Sequence, residues 1–121
     1  MSNLHIRSGD DYLNVRRLTI TVTDIDGTPI DISGIDLTFM VKAQKADADV
    51  DALFAKTTPS EIEIASPQAG DTLGKAYLEI ASADTATLDG RYRWELEGDD
   101  SAGNITLADG VLFVEHDLIT A

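Results

Sequence analysis

The chain contains no cysteine, which removes disulfide frameworks, thiolate metal sites and thiol nucleophiles together. Positive charge is scarce. Nine Lys and Arg side chains stand against 22 Asp and Glu, giving a formal charge of −13. A field of that sign repels phosphate backbones and anionic lipid, so neither nucleic acid nor a membrane is expected as a partner. No uninterrupted apolar run reaches the length of a membrane span. The opening residues 1–7 also lack the apolar segment of a secretory signal. The expected location is the cytoplasm of the producing cell, or a particle that leaves it. Aromatic side chains are few, with one Trp, three Tyr and three Phe. That leaves little from which to build a sugar-binding platform.

What remains is material for one β-rich domain. At 121 residues, with 43% hydrophobic composition, the chain is long enough for a single core without staples. Alternation with a period of two recurs along it and predicts half-buried strands. Residues 13–23 alternate Leu18, Ile20 and Val22 with threonines, and residues 35–42 place Leu37, Phe39 and Val41 on one side. Short strands are expected at 53–57 and 61–65, the latter with Ile62 and Ile64 inward. A further strand at 75–80 turns Ala76, Leu78 and Ile80 to the core. In the strand at 91–97, Tyr92, Trp94 and Leu96 share a face, with Arg91, Arg93, Glu95 and Glu97 on the other. The remaining strands are expected at 105–108 and 111–117, joined by a turn at Asp109-Gly110.

Turn chemistry separates these segments. Asp24-Ile25-Asp26-Gly27 predicts a hairpin turn, Asp31 to Gly34 a second bend and Pro67 to Asp71 a third. The stretches 43–51 and 99–104 are expected as exposed loops. A single helical turn is expected near 82–88, capped by Ser82 or Asp84. About seven to eight short strands with such spacing predict an all-β, antiparallel two-sheet sandwich.

Candidate sites were weighed on residue type and spacing. Asp24, Asp26 and Asp31 echo part of a calcium loop, but the alternation of oxygen ligands stops and no twelfth-position Glu follows. Asp47, Asp49 and Asp51 could chelate a cation if their loop curled, but a strand-like spacing points all three outward. His5 and His116 lie near opposite ends, with no zinc spacing between them. Asp99-Asp100 and the Glu95/Glu97 pair are ordinary in so acidic a chain. Neither catalytic, cofactor-binding nor metal-ligating residues are assigned, and no enzyme activity is expected. Trp94 is expected in the core.

The order of these motifs carries a resemblance. Ile6 to Asp10 opens a strand, Asp24 to Gly34 leads into 35–42, and Gly74 to Ile80 follows. Then come Asp84-Thr85, Gly90-Arg91-Tyr92-Arg93-Trp94 and a hairpin containing Gly103. This pattern resembles the immunoglobulin-like domain of tailed-phage virion proteins, such as the N-terminal domain of the baseplate upper protein. The resemblance spans nearly the whole chain and implies a single immunoglobulin-like sandwich over 1–121, with short arms at 1–7 and 118–121. It implies a non-enzymatic virion protein of the tail, baseplate or neck, made in the host cytoplasm. Its partners would be other virion structural proteins, with homo-oligomers or multiple copies on a symmetric particle. Capsid decoration, a head fibre, and a calcium-dependent adhesin or carbohydrate-binding module are the alternatives.

Overall fold

The computed structural model describes residues 2–7, 9–13, 17–44, 52–100 and 103–115. The chain is all-β apart from short helical turns. Its strands are β1 (Ser2–Arg7), β2 (Leu18–Thr21), β3 (Asp36–Lys42) and β4 (Phe54–Thr57), followed by β5 (Ile62–Ile64) and β6 (Lys75–Leu78). A helical turn, α1 (Ser82–Thr85), leads to the long strands β7 (Gly90–Asp100) and β8 (Gly103–Glu115). They form two sheets, one of five strands in the order β1-β8-β7-β3-β4 and one of three in the order β2-β6-β5.

Alternation builds both sheets as expected. In β3, Leu37, Phe39 and Val41 are buried, and in β7, Trp94 and Leu96 are buried beside them. The three-stranded sheet contributes Ile20, Ile62, Ala76 and Leu78 to the same cluster. One core therefore lies between the inner faces of the two sheets. Trp94 is its largest member, 1% exposed, and its ring stacks on Phe39 with centroids 5.6 Å apart. A side-chain pair at the rim ties the layers together. Lys56 Nζ on β4 lies 2.6 Å from Asp84 Oδ2 on α1, and that carboxylate also accepts the Ala81 N–H at 2.9 Å. Asp84, and not Ser82, is thus the residue that caps the helical turn.

Four sequence expectations need correction. Of the arm expected at 1–7, residues 2–7 form an edge strand instead. β1 runs parallel to β8, with Leu4 opposite Leu112 and Ile6 opposite Val114. Burial of Ile6 explains the docking, since it joins the core at 3% exposure. This pair also means that the sheets are not wholly antiparallel. The expected arm at 118–121 lies outside the described residues.

Asp109-Gly110 does not turn a hairpin, and 105–115 belong to one continuous strand. Glu95 pairs with Asp109 and Trp94 with Gly110. Gly110 is buried, on the core-facing side of the strand with Leu112 and Val114. The register shifts between Leu96 and Glu97, whose partners are Ala108 and Thr106. Leu107 is therefore the extra residue of a bulge. Gly98 makes room for it: a Cβ there would stand 2.7 Å from Leu107 Cδ1 and 2.9 Å from Ile35 Cγ2.

The loop expected at 99–104 is mostly ladder. Asp99 pairs with Asn104 and Asp100 with Gly103, while residues 101 and 102 lie outside the described residues. Of the strand expected at 13–23, the structure shows β2, and residues 14–16 lie outside the described residues. Past β2, the Val22 N–H donates to Gly74 O at 2.7 Å, and Val22 O accepts from the Ile30 N–H at 3.1 Å. Loop partners thus replace the sheet partner.

Candidate functional site

The acidic turn residues are held by the backbone around them. Asp24 Oδ1 accepts the N–H groups of Asp26 at 2.9 Å and Thr28 at 3.0 Å. Asp31 Oδ1 accepts the Ser33 N–H at 2.9 Å. Each carboxylate closes its own turn, the role Asp takes when it substitutes for a backbone acceptor. That bond from the Ser33 backbone, then one from its hydroxyl, holds the Asp31 carboxyl below the ordinary aspartate range. Among the described residues, no group of three or more His, Cys, Asp or Glu side chains is gathered to hold a metal ion. Asp47, Asp49, Asp51 and His116 lie outside the described residues.

Two concave surfaces flank the three-stranded sheet and the bulge. One, of about 400 Å³, is lined by Arg17, Pro59, Glu61, Ile62 and Glu63, with Glu79 beside them. Arg17 crosses the sheet here, with Nη1 2.6 Å from Glu63 Oε1 and its guanidinium 4.8 Å from the Tyr77 ring centre. The other, of about 630 Å³, lies between the Asp24–Gly27 turn and the bulge at Thr106 to Asp109. Ile25 at its lip is fully exposed.

The outer face of the five-stranded sheet is the most organised surface. His5 on β1 is opposite Phe113 on β8, and their rings stack with centroids 4.6 Å apart and planes 8° from parallel. Arg91 on β7 is opposite Phe113, with its guanidinium 5.4 Å from the ring centre. A histidine, a phenylalanine and an arginine so form one flat row. Sequence reading left His5 as an isolated histidine, because its partner is more than a hundred residues away. The alternation of Leu4 and Ile6 with His5 and Arg7 was the available signal.

Further rows of this face follow from the register. Arg93 lies beside Lys42 and Val111, and Glu95 beside Met40 and Asp109. Glu97 lies beside Thr38 and Thr106. The face is therefore polarised along the strands, basic at Arg91 and Arg93 and acidic at Glu95, Glu97 and Asp109. Like charges are in register across the strands, Glu95 with Asp109 and Arg93 with Lys42. Lys42 is buried at 5% exposure and adds little to the accessible basic end. Met40, Val111 and Phe113 are half-buried and supply apolar surface between the charges.

This arrangement presents side chains suited to contact. The stacked row offers an aromatic, partly cationic surface, and the charged rows offer direction. The sheets also end in exposed-edge strands, β1 and β4 on one and β2 and β5 on the other. Pro59 and Pro67, each preceded by a cis peptide bond, bracket β5, and proline near an edge discourages strand addition there. No protein-family model matches the sequence, and comparison with characterised proteins finds no significant relative.

Proposed function

We propose that this chain is a non-enzymatic structural protein of a tailed-phage virion, an immunoglobulin-like module that docks and orders neighbouring subunits in the tail, baseplate or neck. The observation that carries the reading is strand order. The sheet β2-β6-β5 corresponds to the order B-E-D of an immunoglobulin sandwich. The run β8-β7-β3-β4 corresponds to G-F-C-C′. A second feature agrees. Tyr92, near the start of β7, accepts the Asp89 N–H at 3.0 Å through its hydroxyl and donates to Asp89 O at 3.1 Å. That is the tyrosine corner expected before strand F. The chain departs from antibody domains in having no inter-sheet disulfide and in carrying its tryptophan on β7 instead of β3.

The function follows from the combination of this module with the sequence resemblance. A rigid two-sheet body presents flat outer faces and sheet edges, which bind by surface complementarity and backbone pairing. Many copies on a symmetric particle turn weak contacts into strong attachment. Purified virions tested by mass spectrometry and immunogold labelling provide the experiment. Label at the tail tip or neck supports the reading. Label over the capsid moves the protein to the decoration or head-fibre alternative, and its absence from particles overturns the virion assignment. Flanking tape-measure and distal-tail genes would agree with tail labelling.

A further inference from the structure

We infer that two copies of this chain pair face to face through the outer surface of the five-stranded sheet, as a twofold dimer in which the basic end of each face covers the acidic end of the other. The polarity of β7 carries this inference. Arg91 and Arg93 precede Glu95 and Glu97 on one side of one strand, so charge changes sign midway along the face. A twofold axis between the two faces, parallel to the sheets and perpendicular to the strands, reverses that order in the second copy. It sets Arg93 against the partner's Glu95 and Arg91 against the partner's Glu97. Every contact then occurs twice, as twofold symmetry requires.

On β7 itself, each of Arg91, Arg93, Glu95 and Glu97 then meets the opposite sign. Apolar surface from Met40, Val111 and Phe113 lies in the same face and would lose water on contact.

Net charge acts in the opposite direction. Two chains of −13 repel at a distance, so the attraction must be local. Salt of about 0.15 M, with a Debye length of about 8 Å, screens that repulsion while charges in contact still pair. The acidic partner is therefore recognised by its pattern and not by its total charge. This surface deepens the multiple-copy part of the proposed function and rests on that reading only for its biological setting.

Sedimentation velocity of the full chain at about 0.15 M salt tests it. Wild type is expected to shift from monomer to dimer across the micromolar range. Arg91→Glu alone and Glu97→Arg alone should each weaken self-association by more than tenfold, since each places like charges together twice. Mixing those two variants should restore a dimer, because every contact between them again joins opposite signs. Arg91 and Glu97 lie outside the core, and circular dichroism verifies that both variants fold. A wild type that stays monomeric at millimolar concentration overturns the inference. So does a dimer indifferent to both reversals, or a mixture that fails to pair. None of these outcomes alters where the protein is found on particles, which the virion experiment reads separately.

Discussion

Two of the chain's three Asp-Gly dipeptides make a pair, 26–27 in the loop after β2 and 109–110 in the middle of β8. At the first position it is part of a turn. Gly27 has φ +85°, its N–H donates to Asp24 O at 3.0 Å, and the Asp24 N–H donates to Thr28 O at 2.9 Å. Every bond that shapes the bend comes from within five residues. At the second position the same two letters run straight through a ladder, Asp109 opposite Glu95 and Gly110 opposite Trp94. There the partners are distant in sequence, and β8 is flanked by β7 on one side and β1 on the other. Turn propensity decides the backbone where nothing else competes. Cross-strand pairing and core packing decide it where apolar neighbours such as Leu112 and Val114 pull the segment into the sheet.

The strongest way to break the second setting is to remove the indole of Trp94, the residue opposite Gly110. Trp94→Ala should cost about 3–5 kcal/mol, the range for deleting a buried aromatic. Against a typical domain stability of about 5–15 kcal/mol, that is a large share. Urea unfolding followed by circular dichroism measures it. The wild-type protein should emit at short wavelength and resist quenching, as a 1%-exposed indole requires. Red-shifted, freely quenched emission would contradict this packing.

Gly110→Val attacks the same contact from the other side. A branched side chain introduced at this buried site should cost about 1–3 kcal/mol through overpacking. If the indole is what it meets, Trp94→Leu should recover part of that loss, and the two changes should not be additive. Additive losses would locate the conflict elsewhere and leave the glycine unexplained by its tryptophan.

These contrasts explain how much of the molecule the sequence made legible. Alternation at 35–42 and 91–97 was readable because each strand carries its own burial pattern. The turn at 24–27 was readable because its bonds are local. The parallel docking of β1 was not, since only Leu4 and Ile6 mark it and its register depends on β8. The bulge at Leu107 was hidden for the same reason, as it exists only relative to Leu96 and Glu97. Residues 99–104 looked like a loop because Asp, Gly and Asn favour turns, yet Asp99 and Asn104 continue the ladder. The outer face followed the same logic. Its charges on β7 were visible, but the His5–Phe113–Arg91 row needed the order of three strands.

Gly27→Ala tests the local setting, and a smaller loss is expected. A Cβ at Gly27 meets nothing within 4 Å, so no packing is disturbed. The cost is the left-handed conformation itself, about 1 kcal/mol. Urea midpoints should therefore rank Gly110→Val below Gly27→Ala in stability. The reverse order would mean that the Asp-Gly turn, and not the strand, is the more demanding position.

The smallest effect comes from Asp31, which closes the next turn of the same loop. Its carboxyl is held below the ordinary range by the Ser33 backbone N–H and then by the Ser33 hydroxyl. A carboxylate lowered by folding contributes stability above the unfolded value, about 3.9. That contribution disappears as pH falls through the folded value. Full exposure to solvent keeps it small. Carboxyl titration by NMR should place Asp31 below a model aspartate. Ser33→Ala should raise its midpoint only partway, because the backbone N–H remains. A midpoint at the ordinary value would mean that this bend is imposed by the sheets at either end, and the contrast between locally made turns and packed strands would not extend past Gly27.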